Sequence, residues 1–275
     1  MELNNIIVVS DLHCGCRLGL CPPSVKLDGG GTYHASPLQR KLYKHWQYFW
    51  DRWVPEVTKG EPFAVVVNGD SMDGIHHNSV TQISHNITDQ QRIAYSVLDP
   101  VVDECHGQLY MIRGTEAHVG KSGQNEEALA EMLGAIPDDA GNFARWDLWV
   151  EVGAGLVHFT HHIGTTGRTH YESSAVMAEL GEAYAEAGRW QNRAPNVVVR
   201  SHRHRHIEVR VPTSTGYGIS FVTAGWQLQT PFVWRMPGGR SSLPQIGGSL
   251  IRQGDHELYT RHWVKDIGRS KAVKI

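Results

Sequence analysis

Long hydrophobic runs are missing from this 275-residue sequence, whose apolar stretches, such as Ala64 to Val67 and Val197 to Val199, are no longer than β-strands. A helix that crosses a bilayer needs about 20 apolar residues, so no transmembrane span is expected. The N-terminus leads straight into a strand pattern, which predicts no signal peptide and a cytoplasmic location. An excess of one charge is missing too: 26 Lys and Arg stand against 28 Asp and Glu, a net charge of −2. That balance argues against a chain whose main task is coating nucleic acid, and leaves room only for a local groove. Cysteine is scarce, with four in all. Cys14, Cys16 and Cys21 lie close together but have no partner CxxC, so free reduced thiols are expected, the alternative being a structural zinc completed by His34. No stretch reads as a linker, and the length suits one α/β domain over residues 1–275 with insertions at 18–37 and 74–86.

What the chain does have is histidine, 17 residues in all. Three alternate in Ser201-His202-Arg203-His204-Arg205-His206, just after an apolar strand pattern. Residues two apart in an extended segment point to one side, so two such imidazoles can converge on an ion or an ion pair. Other strand patterns end in similar residues. Val8-Val9-Ser10 runs into Asp11-Leu12-His13. Ala64 to Val67 runs into Asn68-Gly69-Asp70-Ser71-Met72-Asp73. Leu109 to Arg113 opens into Gly114-Thr115-Glu116-Ala117-His118, and Leu156 to Thr160 delivers His161 and His162. Ligands in α/β proteins gather at such strand ends.

In this order the motifs resemble the calcineurin-like metallophosphoesterase superfamily, including its phage- and prophage-type members. The resemblance runs from Asp11 to His204. It implies a four-layer αββα sandwich, two mixed sheets flanked by helices, and two divalent transition-metal ions. Asp11, His13 and His204 would hold one ion, His161 and His202 the other, and Asp70 would bridge both. Mixed imidazole and carboxylate ligands suit manganese first, or iron, zinc or nickel, better than calcium or magnesium. Two such ions activate a hydroxide and neutralise the phosphoryl oxygens, so the implied activity is hydrolysis of phosphate esters. The substrate would be a phosphate ester, including nucleotides and nucleic acid. A nuclease, a cyclic-nucleotide phosphodiesterase and a metal-binding scaffold with little catalysis are the competing functions.

The third motif departs from the family, which has Gly-Asn-His followed by an acid. Aligned without a gap, Thr115 replaces the metal-binding Asn and Glu116 replaces the His that protonates the leaving group. His118 is then the candidate catalytic acid or second-metal ligand, because a leaving-group acid near neutral pH is most often histidine. Asp73 is a candidate for orienting a histidine. Strand parity favours His161 over His162, since His161 continues the row of Val157 and Phe159.

Helical spacing of Tyr43, Trp46, Trp50 and Trp53 predicts a helix over Leu38 to Val54 packed on the sheet. Further helices are expected at Thr88 to Cys105, Asn125 to Leu133 and Tyr171 to Ala187. Strands are expected at Ile207 to Val211 and Gly218 to Ala224, with a hairpin over Ser249 to Val264. Arg200, Arg203 and Arg205, with His76 and His77, are candidates for holding phosphate. The loop Gly225 to Gly239 would wall the pocket or bury a partner.

Overall fold

The computed structural model describes residues 3–76, 78–164, 169–214, 216–235, 243–268 and 272–275. Among these, strands β1 (Asn5–Val9), β4 (Ala64–Asn68), β5 (Leu109–Ile112) and β6 (Ala144–Arg145) run parallel in one sheet. Its other edge is an antiparallel hairpin of β12 (Gln245–Gln253) and β13 (Leu258–Asp266), giving the order β13-β12-β1-β4-β5-β6. A second sheet has the order β10-β11-β9-β8-β7. Its members are β7 (Leu148–Val152), β8 (Gly155–Phe159), β9 (Val197–Arg200), β10 (Ile207–Thr213) and β11 (Gly216–Val222). The small hairpin of β2 (Ser24–Lys26) and β3 (Thr32–His34) lies within residues 18–37.

Alternation along the strands builds the layers. Ile7, Val9, Val65 and Val67 face the helices, while Ile6, Val8 and Val66 face the second sheet and meet Val157, Phe159, Val197, Val199, Ile219 and Phe221. Both faces of β1 and β4 are therefore buried, which is why these strands read as unbroken apolar runs. Helices α1 (Pro37–Tyr48), α2 (Val54–Thr58), α3 (Ile87–Glu104) and α5 (Gln124–Met132) supply the core on the outer face of the first sheet. Helix α6 (Glu172–Trp190) covers β10 and β11 on the second. The short helices α4 (Glu116–Val119) and α7 (Pro231–Arg235) lie in connections. This is the expected αββα sandwich.

The expected helices and strands are found, with ends shifted by a few residues. One differs in kind: the helix predicted over Leu38 to Val54 becomes α1, a π-helical turn over Phe49–Trp53, and α2. Pro55 sits in the first turn of α2, where it brings no N–H and its ring crowds the carbonyl four residues back, so the preceding turn widens. Trp46, Phe49 and Trp50 nevertheless form a buried aromatic cluster with Trp226.

The edges of the two sheets are joined by a polar cluster. Glu208 on β10 accepts from Thr260 at 2.5 Å and pairs with His262 Nε2 at 2.8 Å, both on β13. The His206 ring lies tilted against that of His262, with centroids 3.9 Å apart, and bonds the Val222 carbonyl. His206 is therefore packed into a joint between the two sheets, away from the metal-ligand groups. Replacing Glu208 by alanine leaves His262 and Arg210 without their carboxylate and is expected to cost about 2 kcal/mol of stability. Denaturant unfolding measures this, with Glu257→Ala as a surface control.

Candidate metal centre

Every candidate ligand lies where a strand gives way to a loop. Asp11 and His13 follow β1, Asp70 follows β4, Thr115 follows β5, His161 follows β8, and His202 and His204 follow β9. The chain turns sharply at these points. Asp11, His13, Asp70, His202 and His204 all have positive φ, 53°, 44°, 53°, 74° and 52°. Non-glycine residues adopt this conformation rarely and at some energetic cost, and it clusters at functional sites. Here it turns successive side chains from different strands toward one point.

Two groups of ligand atoms result. In the first, Asp11, His13 and His204 converge. His13 Nε2 and His204 Nε2 face each other at 3.1 Å, and His204 Nε2 lies 3.3 Å from Asp11 Oδ1. In the second, His161 Nε2 lies 3.0 Å and His202 Nδ1 3.9 Å from Asp70 Oδ2. Asp70 also falls in a group with His13 and His118, so its carboxylate stands between the two sets. His161 is the inner of the two adjacent histidines: it is buried, while His162 is exposed and has its ring against those of His161 and His202.

The donors fit divalent ions. With metal bonds of about 2.1 Å, neighbouring ligand atoms sit roughly 3 Å apart, close to the separations within the first group. Two imidazole Nε2 atoms that face each other need a proton or a cation between them. Asp11 Oδ1 is buried and accepts no hydrogen bond. His161 donates from Nδ1 to the Asn68 carbonyl at 2.7 Å, the support that metal-binding imidazoles ordinarily have, and so aims Nε2 at Asp70.

The electrostatics point the same way. Burial by itself would raise the carboxyls of Asp11 and Asp70. Beside Asp11, His204 outweighs this and holds it at about 2; beside Asp70, His161 and His118 hold it well below the carboxylate range. Burial would lower His161, but Asp70 pushes it up to about 10. The anionic centre thus collects positive charge.

Thr115 occupies the position the third motif leaves open. Its Oγ1 lies 3.2 Å from Asp70 Oδ2, 3.3 Å from His161 Nε2 and 3.0 Å from His202 Nδ1, in the middle of the second group. Glu116 begins α4 and is exposed, away from the ligands. His118 does turn inward. Its Nδ1 bonds the Asp73 carbonyl at 2.5 Å, and its ring stands edge-on to His13 with centroids 4.6 Å apart. Burial lowers His118 to about 4, with His13 and His76 adding to the shift against the pull of Asp70.

Asp73 lies against His13 Nδ1 at 3.4 Å and His76 Nε2 at 3.5 Å. His77 is outside the described residues. The arginines do not face the centre: Arg200 is buried against Glu179 at 2.7 Å, Arg205 pairs with Glu172, and Arg203 bonds the Gly164 carbonyl. Cys14, Cys16 and Cys21 are buried free thiols, pushed up by burial, and none of the groups able to hold an ion contains a cysteine among the described residues. His34 is exposed. In the loop after β11, Trp226 is core and Gln227 reaches Asp73 at 3.3 Å, so this part of the loop walls the site; residues 236–239 are outside the described residues.

Sequence patterns gave no hint of Glu126. Fully buried on α5, it accepts from Ser71 N at 2.8 Å and from Gly114 N at 2.6 Å, the residues next to Asp70 and Thr115. Burial, reinforced by Asp70, raises its carboxyl to about 7. An acid in the first turn of a helix usually needs no further explanation, which hid this one. Glu126→Ala leaves two buried N–H groups without acceptors and loosens both loops; metal affinity should fall about 10- to 100-fold, measured by competition with a chelating dye.

No family model and no curated protein matches the chain. It is similar to the solved structure of a Vps29 double mutant from Entamoeba histolytica, at 11% identity and a TM-score of 0.42 over 96% of this chain and 99% of that one. It is also similar to Vps29 of Cryptosporidium parvum, at 10% identity and a TM-score of 0.36 over 97% and 100%. A further similar structure is the sulfate thiohydrolase SoxB of Thermus thermophilus, at 14% identity and a TM-score of 0.39, over 97% of this chain and 56% of that one. No helix among the described residues is long and apolar enough to cross a membrane.

Proposed function

We propose that this chain is a dinuclear metal-dependent phosphoesterase. The observation that carries the proposal is the place of Asp70, whose carboxylate is within reach of His13 and His118 on one side and of His161 and His202 on the other. A carboxylate has two oxygens and can serve two ions. Asp11, His13 and His204 would complete one ligand set; His161, His202 and the neutral oxygen of Thr115 would complete the other. The donor chemistry suits manganese, iron, zinc or nickel. When bound, such a pair supplies positive charge at the phosphoryl oxygens and makes an attacking water acidic enough to react near neutral pH.

The residues of the chain divide the remaining work. Glu126 and the tight strand-end turns hold the ligands in place. His202, with its side chain 43% exposed, marks the side from which a phosphate ester enters. His118 keeps Nδ1–H on the Asp73 carbonyl, so Nε2 is the atom through which it would protonate the departing oxygen. Protein stripped with EDTA and reloaded with Mn²⁺ should hydrolyse bis-p-nitrophenyl phosphate or p-nitrophenyl phosphate, and the preferred one of the two defines the ester class. Inertness toward both with Mn²⁺, Fe²⁺, Zn²⁺ and Ni²⁺ would favour a binding scaffold. His118→Ala should slow a diester with a poor leaving group more than a nitrophenyl ester; equal slowing would remove His118 from proton transfer.

A further inference from the structure

Beside the two ligand sets lies a third group, Asp73, His76 and His118, with ligand atoms all within 4.8 Å of one another. His76 Nε2 is 3.5 Å from Asp73 Oδ2, and the rings of His76 and His118 stand edge-on with centroids 4.4 Å apart. The loop that carries His76 is fitted closely to His118. Gly74, at φ 69°, has no side chain where a Cβ would fall 2.4 Å from the His118 carbonyl oxygen. A larger residue would hold His76 away.

Asp73 also has the charge such a site needs. It is 1% exposed, and its partners are Gln82 at 2.9 Å, Gln227 at 3.3 Å and the imidazoles of His13 and His76. No Lys or Arg pairs with it among the described residues. The two glutamine amides hydrogen-bond its oxygens but carry no charge, so a carboxylate at this depth favours a cation beside it.

We infer that Asp73, His76 and His118 form a third, weaker site for a divalent transition-metal ion. Two imidazoles and one carboxylate select zinc, manganese or a similar ion over calcium and magnesium. The site is weaker because the ion must draw Asp73 away from its two glutamine partners. Its occupation takes His118 out of proton transfer; this consequence rests on the phosphoesterase reading, while binding itself does not. The site then acts as a brake that engages when metal is plentiful.

The test compares wild type with His76→Ala and, to keep a polar side chain in the loop, His76→Gln. Native mass spectrometry at saturating Zn²⁺ should find one more bound ion in wild type than in either variant. Anomalous diffraction should place that ion between Asp73 and His118. Equal stoichiometry in all three proteins, or an extra ion located elsewhere, would overturn the proposal. An ion found here with none at Asp11 and Asp70 would leave this site standing and defeat the dinuclear reading. In hydrolysis assays, excess Zn²⁺ should inhibit wild type at concentrations that leave the variants active; inhibition at the same concentration in all would overturn the brake.

Discussion

Asp70→Asn should abolish phosphoesterase activity, lowering kcat/KM by about a thousandfold or more. The magnitude follows from the several kcal/mol of charge stabilisation that a metal pair contributes and the tenfold change in rate per 1.36 kcal/mol. Asparagine keeps the size of the side chain and can still accept from the Thr115 N–H, which in wild type bonds Asp70 Oδ1 at 2.7 Å. It cannot offer two anionic oxygens to two ligand sets. The fold should survive, since Asp70 follows β4 and forms none of the core. Initial rates on bis-p-nitrophenyl phosphate, with circular dichroism to check folding, test this; a variant within tenfold of wild type would deny Asp70 the bridging role.

Gly114→Ala should be nearly as severe although it removes no functional group. A Cβ at Gly114 would fall 2.2 Å from Asp70 Oδ1 and 2.3 Å from the Asp70 backbone nitrogen, so either β4 or β5 must move at its end. The displacement separates Thr115 from Asp70 and pulls Gly114 N from Glu126. A loss of about 100-fold in kcat/KM is expected, in line with the cost of misplacing a catalytic group by about 1 Å. Gly181→Ala on α6 is the control, because nothing lies within 4 Å of a Cβ there and the backbone is helical. Equal activity of the two variants would show that the Asp70–Gly114 contact does not position the site.

Much of this candidate centre was legible from residue order because the side chains that converge in it sit at the ends of buried strands. An apolar run followed by Asp or His is visible without a structure, and parity along β8 selects His161 over His162. The sandwich followed from the same strands, whose unbroken apolar runs reflect burial on both faces. What escaped was set by geometry across the sheet. Only the approach of α5 to two loop ends gives Glu126 its place, and no local pattern encodes that approach. The arginines around His202 and His204 looked like phosphate ligands, yet each is held elsewhere: Arg200 and Arg205 by Glu179 and Glu172 of α6, and Arg203 by the Gly164 carbonyl. The role of Thr115 was open until its hydroxyl was found among Asp70, His161 and His202. Trp226 belongs to the aromatic core through contact with Trp46, about two thirds of the chain away, and no local pattern in the loop after β11 encodes that contact.

The most direct test is the location of bound metal by anomalous diffraction from crystals grown with Mn²⁺. The account predicts two strong peaks about 3.5 to 4 Å apart on either side of the Asp70 carboxylate. One should lie among Asp11, His13 and His204, and the other among His161, His202 and Thr115. A single peak, or peaks that do not share Asp70, would contradict it.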